Sequence, residues 1–180
     1  EYGSILHVPL SLADIRRLAD RTAALQSGQH DTLLSMADNA QAAAAIQPLL
    51  AQAQILTRQY DAVITNPPYM GKKSLNNTLS TFLEAHYPLG KSELYSAFIL
   101  KCISMSKHNG FVSMITIHTW MFISSFEGVR RYILDNASIT SMVHSGASTF
   151  EDLNSFNALA TAFTLRKSQI ENYIAAYIKL

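Results

Sequence analysis

The sequence has little cysteine, little charge and no long apolar run, and each shortage excludes a class of protein. A single cysteine, Cys102, stands among 180 residues, which excludes an internal disulfide framework and a cysteine-rich zinc site. Charged residues make up 15% and the net charge is +1, so the chain as a whole does not attract nucleic acid by its charge. We find no signal peptide and no apolar run of the roughly 18 residues that span a membrane, and we expect a soluble cytoplasmic protein.

Hydrophobic residues, by contrast, are abundant. They make up 48% of the chain, enough for a globular protein with a buried core, and the length suits one domain. From Asp61 onward the patterns predict strand, helix, strand, helix, strand, strand, which indicates an α/β fold whose last strands are antiparallel. After the first strand the predicted elements are helix 92–107, strand 111–117, helix 126–134, strand 139–143 and strand 157–165, with an edge strand or the start of a further element over 173–180. Asn109 and Gly110 are predicted to end the helix over 92–107.

The first 59 residues predict a strand and a helical segment. Residues 4–8 alternate in a strand-like way and are ended by Pro9. Ser11 is predicted to be the N-cap of a first helix, and Asp14, three residues later, the acid of its capping box. A second, alanine-rich helical region covers 33–59, where Pro48 should either kink the helix or begin a new one.

The most distinctive segment is the strand and turn over residues 61–69, Asp-Ala-Val-Ile-Thr-Asn-Pro-Pro-Tyr. Its apolar, partly β-branched residues suit a central strand of an α/β sheet. Pro67 and Pro68 stop the strand because neither has a backbone N–H to donate. The result is a rigid turn at the carboxyl end of a strand, where open α/β sheets bind ligands.

This turn presents the amide of Asn66, the carbonyl of Pro67 and the ring of Tyr69 together. Two oxygen acceptors and a flat ring suit a planar, amine-bearing ring that is held by its edge and its face. A structural alternative also fits the residues: a Pro-Pro turn that closes a strand, with Tyr69 covering the edge of the core. A long polar loop is predicted over 70–91. Its Lys72 and Lys73 could contact a phosphate backbone or could simply be solvated.

The turn resembles the Asn-Pro-Pro-Tyr motif of S-adenosylmethionine-dependent amino methyltransferases, chiefly the γ-type adenine-specific DNA methyltransferases. Further segments are similar to that group in the same order, namely 93–98, 109–111 (without the usual proline), 117–121, 128–134 and 144–150. The segments Asn-Pro-Pro-Tyr-Met-Gly-Lys and Leu-Asn-Ser-Phe-Asn are most similar to the large adenine methyltransferases of BREX phage-defence systems. The resemblance covers about 61–167, well over half of the chain.

The resemblance implies a partial Rossmann-like methyltransferase sheet, the catalytic half, preceded by an N-terminal helical segment. Its expected divisions are 1–59 before the catalytic motif, 60–168 for the catalytic half, and 169–180 as the start of a missing C-terminal region. It also implies S-adenosylmethionine as cofactor, double-stranded DNA as partner, and contact with other proteins of a phage-defence system. No metal is needed for this reaction.

Residue roles follow from the same resemblance. Asn66 and Pro67 would accept hydrogen bonds from the N6 amine of an adenine flipped out of the duplex, and Pro68 would stiffen the turn. Tyr69 would stack on the base, and Phe150 would close its opposite side; the alternative for Phe150 is a core aromatic. Asp61, which opens the strand, is a weak candidate for contact with the cofactor.

One departure from the family concerns the cofactor loop. The sequence has seven glycines, and no two lie within a few residues of each other, so the close backbone approach of a glycine-rich loop is missing. We therefore expect a fragment of a longer protein, which alone binds the cofactor weakly or not at all. Two alternatives stay open: a DNA-recognition or scaffold module without turnover, and a methyltransferase that acts on protein glutamine or RNA guanine.

Overall fold

The computed structural model describes residues 3–26, 33–145 and 159–180, with the backbone alone for 33–38. They form two compact units. One unit is Leu6–Arg58, and the other joins the residues up to Ile5 with Gln59–Leu180. None of the helices within these ranges has the length and apolar character needed to cross a membrane.

The unit Leu6–Arg58 consists of two helices, α1 (Leu12–Gln26) and α2 (Leu33–Thr57), which pack against each other. Ser11 is the N-cap as predicted, because the Asp14 backbone N–H donates to Ser11 Oγ at 3.1 Å. The Asp14 carboxylate accepts from Ser11 Oγ at 2.6 Å, rather than from the Ser11 backbone N–H as in a capping box. Pro48 lies inside α2, which continues to Thr57. The predicted alternative of a new helix at Pro48 is therefore wrong.

The other unit is built on a five-stranded mixed sheet. Its strands are β1 (Tyr60–Thr65), β2 (Ser106–Ile117), β3 (Ser138–His144), β4 (Ala160–Arg166) and β5 (Ala176–Lys179). Their order across the sheet is β1-β2-β4-β3-β5, with β1 parallel to β2, β4 antiparallel to both of its neighbours, and β5 parallel to β3. The α/β class and the antiparallel pairing of the last long strands are confirmed, and residues 176–179 form the edge strand.

Among the described residues of this unit, three helices accompany the sheet: α3 (Asn77–His86), α4 (Leu94–Met105) and α5 (Glu127–Asn136). The main core lies between α4, α5 and one face of the sheet. It contains Tyr95, Ile99, Cys102 and Ile103 of α4, Val129 and Ile133 of α5, Val112 and Met114 of β2, Met142 of β3, and Phe163 and Leu165 of β4. A second cluster joins α3 to the start of α4 and includes Ile5, Leu83 and Tyr87.

The alternation of β2 shows how this layering arises. Val112, Met114 and Thr116 are buried on the helix side, whereas Phe111 and Ile115 are 44% and 39% exposed on the opposite face. Successive side chains of a strand point to opposite faces, so a single strand supplies both the core side and the open side of the sheet.

Three predictions of local structure were wrong. Residues 4–8 do not form a strand: Gly3–Ile5 is a 3-10 turn, and the carbonyl of the buried Ile5 accepts a hydrogen bond from Tyr87 Oη at 2.9 Å rather than from a neighbouring strand. The polar loop over 70–91 contains helix α3, whose N-cap is the Asn76 side chain, bonded to the Leu79 N–H at 2.8 Å.

The third wrong prediction concerns Asn109 and Gly110, which were expected to end a helix. They lie inside β2, because α4 stops at Met105 and the strand begins at once. Asn109 has a φ of +65°, and the register with β1 shifts at this point, between Tyr60 and Ala62. A positive φ and an irregular register are typical of a β-bulge, so the turn-forming residues serve a bulge here.

Candidate active site at the carboxyl end of the first strand

The Asn-Pro-Pro-Tyr turn begins where β1 ends. Thr65, the last residue of β1, pairs with Met114 of β2, while β2 continues to Ile117. Pro67 is buried and Asn66 is exposed. The turn thus leaves the sheet at its carboxyl edge and leaves the Asn66 amide open to solvent, as the sequence predicts.

The Tyr69 side chain folds back toward Asn66. Its Oη lies 3.0 Å from Asn66 Oδ1 and 3.3 Å from the carbonyl oxygen of Ile115 in β2. Burial raises the pKa of Tyr69, so the hydroxyl keeps its proton at neutral pH and can donate it. The Asn66 atom that faces Tyr69 is the amide oxygen, which retains a second lone pair for another N–H donor.

The Tyr69 ring is half-buried against the main core. It meets the ring of Tyr95 edge-on, with centroids 6.4 Å apart and planes at 87°. Such T-shaped contacts are a preferred geometry of aromatic pairs. Tyr69 is thus held by its hydroxyl at one end and by an aromatic neighbour at its ring.

A cavity of about 400 Å³ lies on the open face of the sheet beside the turn. Thr65, Asn66, Ser113 and Ile115 are among its lining residues. Asn66 therefore stands between this cavity and the Tyr69 ring on the core side. The structure brings together Asn66, Pro67, Pro68 and Tyr69, while Phe150 lies outside the described residues.

The two lysines after the turn are exposed, on the 3-10 turn Lys72–Ser74. Lys72 Nζ pairs with the Glu84 carboxylate of α3 at 3.1 Å, and this contact lowers the pKa of Glu84. Lys72 is thus engaged within the protein, and the phosphate contact remains a prediction for both residues.

Asp61 lies at the other end of β1. It is five residues before Asn66, a distance of roughly 16 Å along a strand. Its carboxylate pairs with Lys107 Nζ at 2.8 Å, and the hydrogen bond and charge of Lys107 lower its pKa. The structure does not bring Asp61 to the carboxyl edge, and its contact with the cofactor remains a prediction.

Sequence reasoning missed Glu93, which precedes α4. Its side chain is half-buried, and burial raises the pKa of its carboxyl group. A Cβ added at Gly71 would lie 2.7 Å from Glu93 Oε1, so the carboxylate rests directly against the chain two residues after Tyr69. The glycine leaves room for the carboxylate at this position, and a glycine just after the Asn-Pro-Pro-Tyr turn is the signal that could have indicated this contact.

A pair of histidines lies at the ends of two other strands, His118 just after β2 and His144 as the last residue of β3. His118 Nδ1 and His144 Nε2 are 2.7 Å apart, and their rings are stacked with planes at 12°. Burial, and then the neighbouring His144, lower the pKa of His118. Among the described residues no three His, Cys, Asp or Glu side chains come close enough to hold a metal ion.

The chain is similar to known adenine-specific methyltransferases. The model of the Eco57I restriction-modification methylase family matches residues 12–150. The chain is 36% identical over 140 residues to the adenine-specific methyltransferase BrxX of Escherichia coli O9:H4 (strain HS), which is 78% of this chain and 12% of the relative. It is 31% identical over 180 residues to the adenine-specific methyltransferase PglX of Lacticaseibacillus casei (strain Zhang), which is 100% of this chain and 15% of the relative.

Solved structures show the fold. A Listeria monocytogenes protein described as a class I S-adenosylmethionine-dependent methyltransferase superposes with a TM-score of 0.51 at 18% identity, over 84% of this chain and 47% of its own. The restriction-modification enzyme MmeI in complex with DNA gives a TM-score of 0.53 at 13% identity, over 66% of this chain and 17% of its own. The sheet is therefore part of a class I methyltransferase fold.

Proposed function

Because the chain belongs to the Eco57I restriction-modification methylase family, we propose that it is the catalytic half of a longer DNA methyltransferase. The chain spans 12% and 15% of the length of the two curated relatives named above, so the activity belongs to the larger protein. The proposed reaction transfers a methyl group from S-adenosylmethionine to the N6 amine of an adenine flipped out of duplex DNA. The observation that carries the proposal is the exposed Asn66 amide beside the Tyr69 ring at the carboxyl end of β1.

The Asn66 and Pro67 oxygens would act on the amine itself. The amine of adenine is a weak nucleophile because its lone pair is delocalised into the ring. Each of the two oxygens can accept one of its N–H groups, which draws the nitrogen toward tetrahedral geometry and stabilises the positive charge that grows on it. Asparagine supplies this acceptor without the desolvation cost of a carboxylate.

Tyr69 would hold the base by its face. Stacking of a base on an aromatic side chain is worth about 1–3 kcal/mol. Its hydroxyl bond to Asn66 Oδ1 would also keep the amide oxygen turned toward the base, since the second lone pair of that oxygen remains for the amine. Orientation of the amine is then the main contribution of this turn.

The cofactor contacts lie mostly outside this chain. S-adenosylmethionine, when bound, supplies the methyl group, but the sequence has no pair of close glycines to approach it. Asp61 is therefore the one residue of this chain that we keep as a candidate for contact with the cofactor. The part of the protein that carries a glycine-rich loop would bind the cofactor, and Asn66, Pro67 and Tyr69 would present the amine to it.

Adenine is the acceptor that the relatives favour. Both curated relatives are named adenine-specific methyltransferases, which supports adenine over protein glutamine or RNA guanine. The similarity to BrxX and PglX also supports a role in phage defence together with other proteins of such a system. A scaffold without turnover would not need an exposed acceptor beside an aromatic ring.

Long-read sequencing of modified bases tests this function. Genomic DNA is compared between cells with and without the full-length gene. We expect N6-methyladenine at one sequence motif in the cells that carry the gene and its absence in the others. Identical adenine modification in both, with the protein expressed, would contradict the proposal.

A further inference from the structure

The first turn of α4 is hydrogen-bonded to the catalytic turn through the backbone. The Leu94 N–H donates to the Met70 carbonyl at 2.9 Å, and the Lys72 N–H donates to the Ser92 carbonyl at 3.1 Å. These bonds fix the start of α4 relative to the residues that follow Tyr69. The next residue on α4, Tyr95, is therefore placed against the turn by the main chain.

The ring of Tyr95 fills the space behind Tyr69. It is 0% exposed, and it meets the Tyr69 ring edge-on at 6.4 Å and 87°. Phe126 packs on it as well, with centroids 6.1 Å apart and planes at 30°. Aromatic contacts on two sides leave the Tyr95 ring little freedom to tilt.

The hydroxyl of Tyr95 anchors it to a second element. Tyr95 Oη and Thr119 Oγ1 are 2.8 Å apart. Burial raises the pKa of Tyr95 to about 12, so the hydroxyl is protonated at neutral pH. Thr119 lies in the 3-10 turn after β2, where its carbonyl accepts the N–H groups of Phe122 and Ile123. Tyr95 thus connects the catalytic turn to the end of β2.

From these contacts we propose that Tyr95 is a positioning residue for base stacking. Its ring, fixed by the hydroxyl bond to Thr119, sets the plane of the Tyr69 ring that stacks on the extruded adenine. The proposal rests on the function proposed above and extends it to a residue that does not touch the substrate. A residue that only fills the core would affect stability, whereas a positioning residue would affect the reaction through Tyr69.

The test uses the full-length methyltransferase and two matched substitutions. Tyr95→Leu removes the ring behind Tyr69. Tyr87→Leu is its control, because Tyr87 is also a buried tyrosine whose hydroxyl bonds to another residue, the Ile5 carbonyl at 2.9 Å, but its ring packs on Phe82 in the second cluster. Each is made alone and combined with Tyr69→Ala. Thermal unfolding, kcat and the KM for cofactor are measured for all variants.

We expect Tyr95→Leu to lower kcat by about 2- to 12-fold with an unchanged KM for cofactor, the range given by the usual strength of an aromatic pair. In the Tyr69→Ala background the same substitution should change kcat by less than about twofold, because the residue through which Tyr95 acts is gone. Tyr87→Leu should lower the unfolding temperature while kcat stays within about twofold of wild type.

Two results would overturn the proposal: a wild-type kcat in Tyr95→Leu, or an equal loss of kcat with and without Tyr69. If Tyr95→Leu does not fold, Tyr95→Phe and Thr119→Val replace it. Each of them deletes the same hydrogen bond, the one between Tyr95 and Thr119, so each should lower kcat. The double variant should then be no slower than either single variant. Wild-type kcat in both single variants would overturn the proposal. Failure of the proposed function is distinguishable, since the wild-type enzyme would then methylate no adenine.

Discussion

Tyr69 makes two separable contributions in this account, one from its ring and one from its hydroxyl. We propose that the ring stacks on the extruded base, and the hydroxyl bonds to Asn66 Oδ1 at 3.0 Å. Tyr69→Phe removes the hydroxyl alone, and Tyr69→Ala removes both. The pair of substitutions therefore measures the two contributions separately.

The usual strengths of a hydrogen bond and of base stacking give the expected size of each effect. A hydrogen bond of this kind contributes about 0.5–1.5 kcal/mol, which converts to a loss of roughly 2- to 12-fold in rate for Tyr69→Phe. Base stacking contributes about 1–3 kcal/mol, so Tyr69→Ala should be slower than Tyr69→Phe by a further factor of roughly 5 to 160. We expect the rates to fall in the order Tyr, Phe, Ala.

Methyl transfer from labelled cofactor to genomic DNA of a strain that lacks the gene measures these rates in the purified full-length protein. Tyr173→Ala is the control, because Tyr173 is 46% exposed on the segment before β5, and it should keep the wild-type rate. A wild-type rate for Tyr69→Ala would refute the stacking role. Equal rates for Tyr69→Phe and Tyr69→Ala would show that the ring contributes nothing.

Three further predictions concern the stability and reactivity of the fold. Gly90→Ala should lower the unfolding temperature more than Gly71→Ala, because the new Cβ meets the Ala97 backbone at 2.7 Å rather than the movable end of a side chain; thermal denaturation measures the difference, and equal shifts would contradict it. Stability against urea should hold up to about pH 10 and fall between pH 10 and 12, since burial raises the pKa of Tyr87 and Tyr95 to about 12. A group whose pKa is higher in the folded protein contributes stability below its unfolded pKa, and this contribution is lost as the pH rises through the folded pKa. Absorbance of ionised tyrosine should rise over the same interval, and a rise below pH 10 from all tyrosines together would contradict the burial. The thiol of Cys102 is buried with a pKa of about 12, so it should resist alkylation at pH 8 in the native protein and react once urea unfolds it.

The sequence predicted best those helices, strands and turns whose conformation depends mainly on residues that are near each other in the chain. The alternation within β2 corresponds to burial in the structure, because this strand has one face in the core. The apolar residues of α4 are buried on nearly all sides, because this helix contributes to both hydrophobic clusters. The Asn-Pro-Pro-Tyr turn was predictable for a similar reason, since proline restricts the backbone whatever its surroundings. The four residues of the site are consecutive, so a sequence pattern can place them together.

The errors arise where a distant partner decides the conformation. Residues 4–8 alternate like a strand, but Ile5 bonds to the Tyr87 side chain and has no strand beside it in the described part of the chain. Helix α3 was missed because its first turn is polar; Asn76 as a cap, followed by Leu79, Phe82 and Leu83 at helical spacing, is the signal that could have found it. Asn109 and Gly110 form a bulge because β1 lies beside them.

Part of the site was likewise beyond prediction from sequence. The bonds from Tyr69 to Ile115 and from Tyr95 to Thr119 join residues 46 and 24 positions apart, and only the folded sheet brings them within reach. The partner of Asp61 depends on the fold as well, because only the pairing of β1 with β2 brings Lys107 to its carboxylate. The sequence predicts which groups react, and the structure shows which residues contact those groups.

The central claim is that the Asn66 oxygen accepts a hydrogen bond from the adenine amine. The rate of methyl transfer by Asn66→Ala tests this claim most directly. Removal of one such acceptor is expected to lower kcat by roughly 100- to 1,000-fold. The control Asn136→Ala, which removes an exposed amide at the end of α5, should keep the wild-type rate. Equal rates of N6-adenine methylation by Asn66→Ala and the wild-type enzyme would contradict the account.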